Sequence, residues 1–123
     1  MGERRRRAVV RADGLPVCGR CSVADTPVTR LRGLLGRAGL GADEGLLIRP
    51  TSAIHTCLMR FAIDAVFLDR DLVVIDVVSD IRPWRVAARR RAKAVLELAS
   101  GESRRHGIRP GQRLQLLDSI TTG

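Results

Sequence analysis

Two short motifs in this chain carry residue types capable of covalent or metal chemistry. Cys18-Gly19-Arg20-Cys21 is a C-x-x-C pair, and His55-Thr56-Cys57 sets a histidine two residues from a thiol. Three thiols and an imidazole suit tetrahedral zinc, so Cys18, Cys21, His55 and Cys57 form one candidate metal centre. The first pair, however, falls in a segment that reads as a strand, where positions three apart point to opposite faces. A zinc knuckle needs a tight turn there, and only Gly19 favours one. A redox dithiol opens a helix inside a βαβ unit, and no such unit is visible. A Cys/His nucleophile pair fares little better, because strand positions two apart stand about 7 Å from each other. The simplest expectation is cysteines that pack as small apolar residues, with no metal and no cofactor.

A second set of candidates lies in and around the stretch Ile54–Asp69, IHTCLMRFAIDAVFLD. It holds both phenylalanines, and its isolated polar residues stand among apolar neighbours on both sides. That pattern predicts a segment buried on both faces, where each polar side chain needs a partner or a purpose. If Asp69-Arg70-Asp71 forms a three-residue hairpin loop, the register places Asp64 opposite Asp76. Like charges across a ladder are unfavourable and would need an arginine such as Arg60, Arg82 or Arg85 between them. The alternative is an internal Arg60–Asp64 pair with Asp76 solvated, since one residue of change in the loop breaks the alignment. Trp84, between Pro83 and Arg85, either lines a pocket or anchors its loop to the core. Glu97 can face the same interior. Together His55, Arg60, Asp64, Arg82, Trp84 and Arg85 define the expected pocket, with an anionic small molecule or an acidic protein segment as its ligand.

The elements that must position these residues can be read in order. Ala8–Ala12 and Val17–Ala24 are β-compatible runs separated by Asp13-Gly14-Leu15-Pro16, which is turn chemistry. Asp25 is a good N-cap before Pro27, and Val28, Leu31, Leu34 and Leu35 fall at helical spacing until Gly36 and Gly39. Asp43-Glu44-Gly45 reads as a solvated loop before the short strand Leu46–Ile48. The central stretch reads as two strands broken near Arg60. Leu72–Ser79 is strongly β-branched, and residues 81–91 are irregular and basic. Ala94–Ala99 alternates as a strand, Ser100 can cap a short helix to Arg105, and Arg113–Leu117 closes the sheet. The class is α+β: one compact domain, mainly antiparallel and barrel-like, with about seven short strands and two short helices. Residues 1–22 read as a basic N-terminal hairpin or extension, with the domain proper over 23–119.

The blocks RLRGLLGR, EGLLIRP, IHTCLMRFAIDAVFLD, VLELASG and GIRPGQRL, in this order and spacing, resemble the family known as domain of unknown function 192 (DUF192). The resemblance runs from about Val23 to Leu117 and implies a small, mostly β domain with short helices. It brings no reaction with it. Some members of that family carry an export signal, which this N-terminus does not match.

Composition narrows the function classes. The chain has 123 residues, of which 45% are hydrophobic and 28% charged, the profile of one ordinary globular domain. No run approaches the roughly 18 apolar residues of a membrane span. The basic start is followed only by Ala8-Val9-Val10 where a signal peptide needs about 7–15 apolar residues, so a cytoplasmic protein is expected. The net charge of +9 sits in two places. Residues 1–11 contribute five arginines less Glu3, and residues 82–93 contribute six basic groups and no acid. Arg4–Arg7 reads as a tail or edge strand. Such clusters attract polyanions non-specifically, but with only Phe61, Phe67 and Trp84 as aromatics the stacking platforms of a nucleic-acid reader are missing. A non-enzymatic binding or accessory module is the leading expectation. A hydrolytic or metal-assisted enzyme using His55 and carboxylates, and polyanion binding through the arginine clusters, are the alternatives.

Overall fold

A computed structural model describes residues 5–34 and 36–118. The chain order is β1 (Arg5–Arg11), β2 (Pro16–Ala24), α1 (Pro27–Arg32), β3 (Glu44–Ile48), β4 (Ala53–His55), β5 (Ile63–Leu68), β6 (Val74–Ile81), β7 (Val86–Ala88), β8 (Ala94–Ala99), α2 (Glu102–Arg105) and β9 (Leu114–Asp118). Seven strands form one sheet in the order β6-β5-β8-β3-β2-β1-β9, and β4 and β7 form a separate two-stranded ribbon. Within the large sheet β2 and β3 run parallel and their neighbours antiparallel, so the sheet is mixed. It curls until its outer strands touch at one end, where Val73 bridges Arg113 and Val74 donates to the Gln112 carbonyl at 2.7 Å. The protein is mostly β, a half-barrel with little helix: α1 has six residues and α2 is a single turn of four.

The curl creates two cores. Val9, Val17, Cys18, Cys21, Leu47, Val66, Leu68, Val74, Leu96, Leu98 and Leu114 fill the concave side. Leu34, Leu46, Ile48, Ile54, Met59, Ile63, Ala65, Phe67 and Val95 fill the convex side, beneath the ribbon and the segment after α1. The central stretch is the hinge between them. All six residues of β5 are buried, as its continuous apolar run predicts. The expected break near Arg60 is the turn-rich segment between β4 and β5.

Local chemistry explains most element ends. At the first hairpin Gly14 has φ 88° and donates to the Arg11 carbonyl, while Asp13 accepts from the Leu15 N–H. Its two strands sit between β3 and β9 in the sheet; Arg7 pairs with both Cys21 and Asp118, and Arg5 and Arg6 pair with Val23 and Ser22, so these three are not a loose tail; Arg4 lies outside the described residues. The helix α1 is capped by Thr26, not Asp25, through a box with Thr29, and it stops at Gly33, earlier than Gly36. Within residues 81–91 the structure adds the strand β7, too short to show a period in sequence.

Two β-bulges overturn expectations of facing. Arg7 pairs with Cys21 but Val9 pairs with Cys18, so Gly19 and Arg20 together oppose Ala8. The extra residue restores both cysteines to the same, concave side. Asp43 holds the bulge by accepting from the Gly19 N–H at 2.7 Å, and Glu44 pairs with Arg37 at 2.9 Å; neither is simply a solvated loop residue. The second correction concerns Asp64 and Asp76. Register shifts in β5–β6 set Phe67 opposite Asp76, so Asp76 shares the convex side with Phe67 while Asp64 shares the concave side with Val66 and Leu68. The two carboxylates do not meet.

Asp76 has its own partner. Arg89 Nε donates to it at 2.6 Å, and the guanidinium lies 5.4 Å from the centre of the Phe67 ring. The hydrogen bond from Arg89 holds the Asp76 carboxyl below its ordinary value of 3.8. A depressed folded-state value adds stability above the ordinary value and loses it as pH falls through the folded one. Both side chains are 40% exposed, so screening keeps the gain small. Asp76→Asn is therefore expected to flatten slightly the loss of stability below about pH 4, measured by urea unfolding across pH.

Candidate functional site

The convex side carries a cleft of about 120 Å³, lined by Arg30 and Leu34 at the end of α1, Ile48 of β3, Ile54 and His55 of β4, Met59 and Glu97 among others. Each element delivers its residue for a local reason. Gly33, with φ 49°, turns the chain out of α1 and leaves Arg30 on the wall. Arg30 donates from one terminal nitrogen to the Pro50 carbonyl at 3.0 Å, which pins the guanidinium. Its Nε–H is buried and has no acceptor among the described residues. Glu97 is 3% exposed, on the same face of β8 as Val95, between Leu46 of β3 and Ala65 of β5. His55 is the exposed last residue of β4 and stands at the rim. The cleft therefore combines an apolar lining with a pinned cation, an imidazole and a buried carboxylate.

Of the six pocket residues expected from sequence, only His55 lines this cleft. Arg60, Arg82, Trp84 and Arg85 are exposed on the neighbouring turns. Asp64 is elsewhere altogether. It is fully buried on the concave side and accepts four hydrogen bonds, from the Asp80, Gly101 and Ser103 N–H groups at 2.9, 3.1 and 3.0 Å and from the Ser103 hydroxyl at 2.6 Å. It thereby caps α2, whose N-cap is Gly101; Ser100, expected in that role, donates instead to Asp80. An Arg60–Asp64 pair is not formed.

Sequence reasoning counted Thr56 among the polar residues of the central stretch that need a partner but left it out of the pocket; it is fully buried and organises the Trp84 loop. Its hydroxyl donates to the Arg82 carbonyl at 2.6 Å and accepts from the Arg85 N–H at 2.9 Å. Its own carbonyl accepts from the Met59 and Trp84 N–H groups. Sequence reasoning passed over Arg30, which lies on a different element from every other candidate. The buried orphan N–H is a signal only coordinates provide.

The four candidate zinc ligands do not assemble. Cys18 and Cys21 are 1% and 0% exposed in the concave core, while His55 lines the cleft on the convex side and Cys57 is half-buried in the turn that follows β4. Among the described residues no three His, Cys, Asp or Glu side chains form a metal-type group. The contact with Cys21, then burial, pushes the Cys18 thiol far above its ordinary range, so it holds no reactive thiolate. Cys18 also presses on Gly45, where a Cβ would meet its Sγ at 3.0 Å. In the native protein a thiol reagent such as Ellman's is expected to modify Cys57 rapidly, and Cys18 and Cys21 only on unfolding.

A curled, mixed half-barrel with an outer ribbon over a small polar-floored cleft defines the class of protein. The chain belongs to the DUF192 family, described as uncharacterized ACR, whose model matches residues 8–116. Among solved structures it is similar to a protein of unknown function from Novosphingobium aromaticivorans DSM 12444, with 25% identity, a TM-score of 0.77, and coverage of 89% of this chain and 83% of that one. It is also similar in fold to a Sinorhizobium meliloti 1021 protein provisionally described as a transcription regulator, at 24% identity and TM-score 0.76, covering 94% of this chain and 98% of that one. No curated protein matches. Among the described residues no helix is long and apolar enough to cross a membrane.

Proposed function

We propose that this chain is a non-enzymatic binding module for a small organic anion, held in the cleft between α1 and the β4–β7 ribbon. The observation that carries the reading is Arg30, a cation on the wall of the cleft, one terminal nitrogen of which is held by the Pro50 carbonyl. A guanidinium on a partly apolar wall favours an anion, which its accessible terminal N–H groups can meet with a charge-assisted bond. His55 at the rim offers a second polar contact. A hydroxyl or amine beside the acid group would face the Glu97 carboxyl, which lines the same cleft. Leu34, Ile48, Ile54 and Met59 supply the apolar part of the wall against which the ligand's carbon skeleton would pack. The cleft admits several waters' worth of ligand, which points to compact hydroxy or amino acids and not to nucleotides.

Calorimetric titration with lactate, malate, glycine and inorganic phosphate tests this. Binding of a hydroxy or amino acid, weakened about tenfold or more by Arg30→Lys and by His55→Ala, is the expected result. No heat with any of these probes, or equal binding by the variants, overturns it.

A further inference from the structure

Five large apolar side chains are exposed among the described residues, and the three most exposed are gathered at one place, with Leu15 in the first hairpin turn and Leu117 on β9 lying elsewhere. Leu58, Trp84 and Val86 are 68%, 62% and 73% exposed. The Thr56 carbonyl accepts from Met59 N–H at 3.2 Å and from Trp84 N–H at 3.0 Å, so the turns bearing Leu58 and Trp84 hang from one atom. Val86 pairs with His55, the residue before Thr56. Leu58 and Trp84 have φ 65° and 66°, a region where glycine is at ease and a bulky side chain is strained. Both positions nonetheless carry large apolar groups held out from a rigid base. Their surroundings are cationic: Arg60, Arg82 and Arg85 are exposed, and residues 82–93 hold six basic groups and no acid. None of these residues lines the cleft described above.

The geometry points to peripheral docking on an anionic membrane surface. Leu58, Trp84 and Val86 enter the boundary between headgroups and acyl chains, and Arg60, Arg82 and Arg85 meet lipid phosphates. Two features favour a bilayer over an acidic protein segment. The apolar groups project from two turns and a strand end, a shape that lipid accommodates without a matching cavity. Tryptophan and arginine are also the side chains that settle at the headgroup level, each with an apolar body and a polar end.

Trp84 is the single tryptophan and the chain has no tyrosine, so its emission reports the contact directly. Titration of the full chain with phosphatidylcholine vesicles containing phosphatidylserine is expected to shift that emission to the blue and shield it from iodide. Vesicles of phosphatidylcholine alone should do so much less. The double variant Leu58→Ser/Val86→Ser keeps the probe and is expected to bind about tenfold more weakly or worse. Arg82→Gln/Arg85→Gln should lose a similar factor and much of the salt dependence. Far-ultraviolet circular dichroism confirms that each variant is folded. Co-sedimentation without an emission shift, or unchanged binding by the Leu58/Val86 variant, overturns the proposal. A shift caused by polyglutamate and not by vesicles overturns it in favour of an acidic polypeptide.

Discussion

Replacing Asp64 with alanine is expected to cost about 3–5 kcal/mol of unfolding free energy. The magnitude follows from what the carboxylate leaves behind. Three backbone N–H groups, on Asp80, Gly101 and Ser103, and one hydroxyl converge on its two oxygens in a fully buried site. No other side chain caps α2, so the loss exposes unmet donors in the concave core and frees the 100–108 segment from β5. Asp64→Asn keeps the volume but turns an amide donor toward other donors, and should recover only part of the loss. Ser103→Ala removes one of the four bonds and serves as scale, at about 1 kcal/mol. Urea unfolding of the three variants checks the order. An Asp64→Ala protein no less stable than Ser103→Ala would sink this account of the carboxylate.

How much of this was legible in the chain depends on the kind of signal. Apolar runs gave β8 to the residue and the existence and burial of β5, and turn chemistry gave the first hairpin, because those patterns reflect burial within one element. The two bulges were invisible. A single inserted residue at Gly19-Arg20, or in β6, leaves composition unchanged yet reverses which face every later side chain takes. That is why Cys18 and Cys21 share a side and why Asp64 and Asp76 do not. The site suffered from a second limit. Its ionisable residues come from α1, β4 and β8, and only His55 of β4 belongs to the central stretch. The sequence marked Asp64 correctly as a buried charge needing a partner, but the partners are three backbone N–H groups sixteen, thirty-seven and thirty-nine residues away and one serine hydroxyl, which no side-chain pattern announces.

Thr56→Val is expected to cost about 2 kcal/mol, since it removes a buried hydroxyl that both donates and accepts while conserving its shape. The effect should be concentrated in one place. The hydroxyl joins Arg82 to Arg85 across the turn that carries Trp84, and the strained φ of 66° at Trp84 persists only while that turn is held. With valine there, the backbone bonds of Thr56 to Arg85 and Trp84 remain, but the turn loses its internal brace. Trypsin should then cut after Arg85 faster in the native protein, and acrylamide should quench Trp84 more readily, while Thr56→Ser behaves like the parent in both tests. Stability lost without faster cleavage at Arg85 would mean that the hydroxyl supports the core and not the loop. The two surfaces proposed above would respond differently to the same change: the Arg30 cleft does not include Thr56 or Trp84 and should still bind its anion, whereas membrane docking depends on how rigidly Trp84 is presented and should weaken.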